Sequence, residues 1–379
     1  MSLEIYLNPS ASSWRYTSPN NKPDTKSQIR TFHSLLPSYA PTPLYPLTSI
    51  AKTLGIKQVY LKSEAYCLGL PSFKILGASW AVYRTVLDFI GVNLNPSGQP
   101  LPSSEEIKSV TKDKRLENVK IITATDGNWG RAARAVFVSE HMHPTTRELI
   151  GTEGVRAEVK LVKGDYYRAV GQAKVFGEEG KGEERLLVMD MSWEGYERVP
   201  GGYTNMPTGY DTRILQQTGG GGEVTHAVVP CGCGSIARAV TQYFKDAVRV
   251  RSGAKVVAVE PDSAVCLQAS LQNGEMTTVQ TGDETIMCGM NVGTLSSSAW
   301  EVLGKWMNAS VVVTDKEAHQ VVADLESEGV EAGPCGAATL AGLRRICADD
   351  SAREGLGLGS DAVVVLFCTE GKREYEAPT

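Results

Sequence analysis

The chain has 379 residues, 42% hydrophobic and 21% charged, with 38 Lys and Arg against 43 Asp and Glu for a net charge of −5. That composition excludes the disordered and fibrous classes, and the acidic balance argues against a nucleic-acid surface or a basic membrane-binding face. The length suits a large domain plus a smaller one; no apolar run is long enough to span a bilayer, and Met1 to Ser10 lacks a secretion signal, so a cytoplasmic protein is expected.

The opening stretch to Pro46 is rich in Ser, Pro and Asn and reads as irregular. Gln58 to Lys62 alternates as a short strand. After the turn at Gly69 to Pro71, the residues Leu76, Trp80, Tyr83, Leu87 and Ile90 recur at spacings of four and three and predict an amphipathic helix capped by Ser72. Lys74 lies off that stripe beside Gly77, Ala78 and Ala81, small residues that leave room around its amine. The polar stretch from Asn93 to Asn118 reads as a surface connection. A strand over Val119 to Ala124, a turn at Asp126 to Asn128 and a helix from Trp129 follow. Further strands are predicted over Val155 to Val162 and Arg185 to Met189, with a solvated turn at GEEGKGEE between them.

Past Gly219 to Gly222, a run read as flexible linker, the pattern is strand (Thr225 to Val229), glycine turn, helix (Ser235 to Val248) and strand (Ala254 to Glu260). A helix around Ala337 to Ala348 and a buried strand from Ala362 to Phe367 close the chain. Alternating elements with Val-rich strands define an α/β protein with largely parallel sheets. The 8 cysteines are scattered, and Cys231 with Cys233 lacks the second pair a zinc site needs. His141 and His143 precede Pro144 and read as a surface turn rather than a metal site.

Three motifs carry chemistry. PCGCGS, Pro230 to Ser235, lies between a buried strand and a helix, where tight glycine backbone and exposed helix-start amides bind a phosphate. Gly232, Gly234 and Ala237 also fit G-x-G-x-x-A, and Glu260 ends the next strand where a ribose-binding acid would stand, so a nicotinamide-dependent oxidoreductase is a rival reading. A lone helix lysine such as Lys74 is ordinarily solvated, and the Asp-Gly-Asn of TATDGNWG (Thr123 to Gly130) is ordinarily a plain turn. Their order along the chain, with suitable elements between them, changes that reading.

SFKILGASWAVYR (Ser72 to Arg84), ATDGNWGRA (Ala124 to Ala132) and the glycine loop together resemble the fold-type-II pyridoxal-phosphate enzymes, the tryptophan synthase β-like group. Within it, MDMSWEGYERVP (Met189 to Pro200), TIMCGMNVG (Thr285 to Gly293), SAWEVL (Ser298 to Leu303) and TEG (Thr369 to Gly371) resemble the diaminopropionate ammonia-lyases. The resemblance implies two open, twisted, mostly parallel sheets flanked by helices. A large domain (1–82 and 205–379) and a small domain (83–204) would hold pyridoxal 5'-phosphate in their cleft. It implies that Lys74, after Phe73, carries the cofactor as a Schiff base, that Asn128 bonds its ring oxygen, and that Gly232, Cys233, Gly234 and Ser235 hold its phosphate. Cys368, with Thr369 as second candidate, would face the pyridine nitrogen. Thr125, Asp126, Gly127 and Asn128 would grip the substrate carboxylate, and Asp126 and Asp190 would be the bases for the two enantiomers. The family also implies a homodimer.

The chain departs from the ammonia-lyases in ways that bear on function. Trp129 replaces the histidine after the asparagine and is expected to reshape the substrate side. GPCGA (Gly333 to Ala337) and VGTL (Val292 to Leu295) each lack a family carboxylate. Little chain separates the Ile121 strand from AVFV (Ala135 to Val138), so either AVFV extends a helix or a small-domain helix has been lost. The expected reaction is β-elimination on a small amino acid such as 2,3-diaminopropionate, giving a 2-oxo acid and ammonia. β-Replacement, racemisation and a catalytically silent cofactor-binding protein are the alternatives within the family.

Overall fold

The computed structural model describes residues 4–11, 23–92, 103–125, 127–133, 136–140, 142, 144–152, 158–179, 184–191, 193, 224–245, 254–281 and 285–378. Asp126, His141, His143 and the run Gly219 to Gly222 lie outside them. In chain order the strands are β1 (Ile5–Leu7), β2 (Leu44–Pro46), β3 (Gln58–Ser63), β4 (Val119–Ile122), β5 (Ala124–Thr125), β6 (Val136–Ser139), β7 (Val159–Val162), β8 (Glu184–Leu187), β9 (His226–Pro230), β10 (Lys255–Pro261), β11 (Ala309–Val313) and β12 (Val363–Cys368). The helices are α1 (Pro23–Ser34), α2 (Thr48–Leu54), α3 (Lys74–Phe89), α4 (Ser104–Thr111), α5 (Asn128–Ala133), α6 (Pro144–Thr152), α7 (Tyr166–Glu178), α8 (Ser235–Lys245), α9 (Cys266–Asn273), α10 (Ser297–Trp306), α11 (Asp315–Ser327), α12 (Pro334–Ala348) and α13 (Asp350–Leu356).

The chain divides into two compact units. The first comprises Met1–Asn21, Pro41–Tyr66 and Tyr210–Thr379. Its seven-stranded sheet has the order β1-β11-β10-β9-β12-β3-β2, with parallel pairing throughout except for β1 and β2, which run antiparallel at the two edges. Every residue of β9, β11 and β12 is buried. Continuous apolar runs such as VVVLFC belong in a parallel sheet covered on both faces, where no side chain alternates out to water. From β9 the chain steps through β10 to β11 on one side, then returns to β12 on the other. The topological switch therefore falls between β9 and β12, and ligands of open α/β sheets bind outside the carboxyl ends of the strands at that point.

The second unit comprises Lys22–Ala40 and Cys67–Gly209. The boundary drawn from the sequence at 82/83 falls inside α3, a continuous helix that belongs whole to this unit. Its stripe is buried as expected, and it packs against Ile29 and Phe32 of α1 and, at its rim, Ile107 and Val110 of α4. Phe32 stacks on Tyr83 at 4.6 Å between ring centroids. The helix α4 corrects the reading of Asn93 to Asn118 as plain connection: Ser103 and Glu106 form a capping box, and its apolar residues join the α1–α3 cluster. The expected strand Val119 to Ala124 is split at Thr123. β4 pairs with β8, while β5, β6 and β7 form a separate parallel ladder. Val136 to Val138 of AVFV lie in a strand, β6, and α5 is the only described helix between it and its parallel neighbour β5. The helix α7, unread in the sequence, covers these ladders through Ala169 and Ala173, packed with Ile122, Ala124, Phe137, Val162 and Met189.

One buried titratable group in this unit makes stability depend on pH. His33 is 3% exposed, its Nε2 lies 2.9 Å from the Leu76 carbonyl, and burial pulls its pKa down to about 4. The unfolded chain takes up the proton near pH 6.5 while the folded one resists it, so this contribution is full above about 6.5 and is lost as pH falls toward about 4. Thermal melting between pH 7 and pH 4.5 is expected to fall more steeply in the parent than in His33→Gln. Parallel curves would remove His33 as a cause.

Candidate active site

In the second unit, Lys74 is the first residue of α3; the N-cap is Phe73 rather than the expected Ser72, whose Oγ accepts from the Lys74 amide at 3.3 Å in a local turn. Its Nζ lies 3.2 Å from Asp190 Oδ2, with the two side chains 22% and 13% exposed. The Tyr166 hydroxyl, on the first turn of α7, donates to Asp190 Oδ1 at 2.6 Å. Thus the structure brings together Lys74 and Asp190, 116 residues apart, and adds Tyr166, which the sequence reading missed. Met189 anchors the aspartate from behind: it is buried, and its sulfur accepts from the Ala124 amide at 3.3 Å. The small residues near Lys74 are themselves buried, with Ala78 at 0% and Ala81 at 5% exposure. The helix α3 packs against α5.

The asparagine loop is tied down by Thr125. Its Oγ1 accepts from the amides of Gly127 at 3.1 Å and Gly130 at 2.8 Å. A Cβ on Gly130 would come within 2.4 Å of the Thr125 side chain, so glycine is required there, whereas Gly127 has open space where its Cβ would stand. Asn128 opens α5 and is half-buried. Trp129 differs from expectation: it is fully buried, and its indole Nε1 donates to Thr123 Oγ1 at 2.8 Å, so it anchors the loop to the strand floor.

In the first unit, Gly232 to Ser235 leave the carboxyl end of β9 at the topological switch. Gly234 has φ +87°, a conformation that favours glycine, and a Cβ there would meet Ala299 and Leu303 at 3.0 Å. A Cβ on Gly232 would lie 3.0 Å from the Gly289 carbonyl. Cys233 Sγ lies 3.3 Å from Ser235 Oγ on the first turn of α8. The amides of Gly232, Gly234 and Ile236 have no acceptor among the described residues. Unpaired amides at a helix start form a cradle for an anion of phosphate size. Cys368 ends β12, fully buried, with Thr369 and Glu370 beyond it. Burial pushes the Cys368 thiol up to about 12, so it stays protonated at neutral pH. It packs on Gly336, where a Cβ would approach its sulfur to 2.6 Å. Glu370 supplies an acid that the sequence reading did not assign. Its Oε1 accepts from the Cys335 amide at 3.1 Å, in the GPCGA turn that lacks the family carboxylate.

Glu260 settles the nicotinamide reading. It is fully buried, and its two oxygens accept from the amides of Leu267 (2.7 Å) and Gln268 (2.8 Å) and from Ser310 Oγ (2.6 Å). Burial outweighs those bonds and raises its pKa to about 7. A carboxylate spent on capping α9 inside the core has no oxygen left for a ribose.

The chain is an α/β protein with a lysine beside an acid in one unit and unpaired amides at a helix start in the other. The chain belongs to the pyridoxal-phosphate dependent enzyme family, whose model matches residues 35–369. It is similar to the diaminopropionate ammonia-lyase of Salmonella typhimurium, 31% identical over 291 residues that cover 73% of this chain and 69% of that one. The Escherichia coli K12 diaminopropionate ammonia-lyase is 26% identical over 380 residues, covering 95% and 92%. The holo crystal structure of the Escherichia coli enzyme matches with a TM-score of 0.81 at 26% identity, over 97% of this chain and 93% of that one. The fold is accordingly fold type II and the cofactor pyridoxal 5'-phosphate. No described helix is long and apolar enough to cross a membrane.

Proposed function

We propose that the chain is an ammonia-lyase that eliminates the β-substituent of a small amino acid, with 2,3-diaminopropionate as substrate. The observation that carries this reading is the trio in which Asp190 is held between the Lys74 amine and the Tyr166 hydroxyl. When bound, pyridoxal phosphate supplies the electron sink that makes the substrate's Cα proton acidic. Lys74 would hold the cofactor through its amine, Asn128 would contact its ring oxygen, and the amides of Gly232 to Ser235 would bind its phosphate. The Cys368 thiol, protonated at neutral pH, would offer the ring nitrogen a neutral partner, which suits elimination more than transamination.

Asp190 takes the α-proton of one enantiomer, and Asp126 serves the other. Tyr166 fixes the Asp190 carboxylate by donating to Oδ1, which leaves Oδ2 as the working oxygen. Lys74 Nζ at 3.2 Å from Oδ2 passes protons between that oxygen and the leaving amine. Thr125 to Asn128 orient the substrate carboxylate. The Thr125 bonds and the Trp129 anchor support this loop despite the short crossover, which favours an active enzyme over a silent binder. We further propose a cytoplasmic homodimer, to be read from its mass in solution.

The test supplies each enantiomer of 2,3-diaminopropionate to the holoenzyme and assays pyruvate and ammonia. One pyruvate and two ammonia molecules are expected per substrate and water consumed. Recovery of the opposite enantiomer instead would install racemisation. No product and no spectral change would leave cofactor binding without catalysis.

A further inference from the structure

Glu260 binds no ribose, yet a carboxylate fully buried at the carboxyl end of β10 is costly to keep. Its two oxygens take the amides of Leu267 and Gln268, the second and third residues of α9, and the Ser310 hydroxyl of β11. Those amides are orphans of the first helical turn, and Val265, at the N-cap, has no side chain that could accept them. Glu260 therefore fixes the start of α9 from the neighbouring strand. Beside the two bonded amides stands Cys266, the first residue of α9, whose Sγ donates to the Gly232 carbonyl at 3.8 Å. Cys231 Sγ approaches the same carbonyl at 3.6 Å. Burial, with the charge of Glu260 next, holds both thiols well above the usual range, so each stays protonated and can donate.

Gly232 opens the glycine loop, and the direction of its carbonyl decides what the loop presents. In a planar trans peptide the carbonyl and the following amide point in opposite directions. A Gly232 carbonyl drawn toward the two thiols thus turns the Cys233 amide to the other side. Gly232 has little freedom to shift: a Cβ on it would lie 3.0 Å from the Gly289 carbonyl and 3.1 Å from Met290 Cα. Strand β10 adds a backbone tie, because the Val259 carbonyl accepts from the Cys231 amide at 2.8 Å. Glu260, α9, Cys266 and Gly232 form one chain of contacts inside the first unit. We propose, on the reading that Gly232 to Ser235 hold the cofactor phosphate, that Glu260 is a positioning residue for that loop. It acts through α9 and Cys266 to fix the peptide that joins Gly232 to Cys233.

In the test, the cofactor is stripped from the full-length holoenzyme and titrated back as pyridoxal 5'-phosphate or as pyridoxal, which lacks the phosphate. The borohydride-fixable visible band gives the dissociation constant of each. Glu260→Gln keeps the volume but loses the charge and one acceptor. Its affinity for pyridoxal 5'-phosphate is expected to fall about tenfold, with that for pyridoxal nearly unchanged. A merely structural role would weaken both alike. Cys266→Ala leaves the Glu260 bonds in place and is expected to give a smaller loss of the same selectivity, restored in Cys266→Ser. The double variant of Glu260→Gln with Cys266→Ala is expected to lose no more than Glu260→Gln alone. Ser310→Ala removes only the 2.6 Å bond and is expected to lose the same selectivity, which covers failure of Glu260→Gln to fold. Parental selectivity in Glu260→Gln, equal weakening of both ligands, or additive losses in the double variant overturn the proposal. A parent that binds both ligands equally well takes the phosphate away from the glycine loop, and the role of Glu260 falls with it.

Discussion

Replacing Lys74 with alanine is expected to abolish the visible absorbance band that borohydride fixes in the parent protein, and to lower turnover by roughly a thousandfold or more. The expectation rests on geometry. Lys74 opens α3, its side chain is 22% exposed, and its amine meets Asp190 and not bulk water alone. Under the proposed assignment its removal takes away the covalent tether and the proton carrier together, so the effect is expected to exceed that of any other single change. Added pyridoxal phosphate would still bind through the glycine-loop amides, with its free-aldehyde spectrum. A variant that keeps a borohydride-fixable band at parental intensity would put the tether on another lysine. Lys62 is the test of that alternative: it is buried, ion-paired with Glu64 at 3.1 Å and bonded to the Thr42 carbonyl at 2.8 Å, so it is committed to the sheet edge.

How much of this was legible depends on whether the determining contact is local. The strands β9, β10 and β12 could be read because burial on both faces leaves an unbroken run of Val, Leu and Ala. The stripe of α3 was legible by the same logic at helical period. The glycine loop was legible as a tight turn between a buried strand and a helix, but not as a choice of cofactor. The case against the nicotinamide reading turned on Glu260, whose commitment to Leu267, Gln268 and Ser310 is set by tertiary packing. Two capping boxes were present in plain sequence, Ser103 with Glu106 and Thr314 with Glu317, and mark helices that went unread. Trp129 illustrates the opposite limit. Nothing beside it in the chain says that its indole finds Thr123, so a residue expected to face substrate proves to be the anchor of its loop. Tyr166 gave no local signal at all, because its meaning comes from an aspartate 24 residues away.

That same aspartate carries the second large effect. Asp190→Asn keeps the shape and the hydrogen-bonding capacity of the side chain but removes the charge that accepts a proton. It is expected to lower kcat by about a hundred- to ten-thousandfold for one enantiomer of 2,3-diaminopropionate, with KM changed far less. The other enantiomer, which the proposal assigns to Asp126, should lose much less. Tyr166→Phe removes only the 2.6 Å bond to Oδ1 and leaves Oδ2 facing Lys74, so a smaller fall with the same enantiomer preference is expected. The pattern distinguishes a base from a strut. If Asp190 served only to hold the Lys74 ammonium, Asn would disturb formation of the Lys74-linked chromophore and slow both enantiomers alike, and Tyr166→Phe would follow it without stereochemical bias. Unchanged kcat for both enantiomers in Asp190→Asn would remove the carboxylate from the chemistry altogether and shift the burden of proton abstraction to the Lys74 amine.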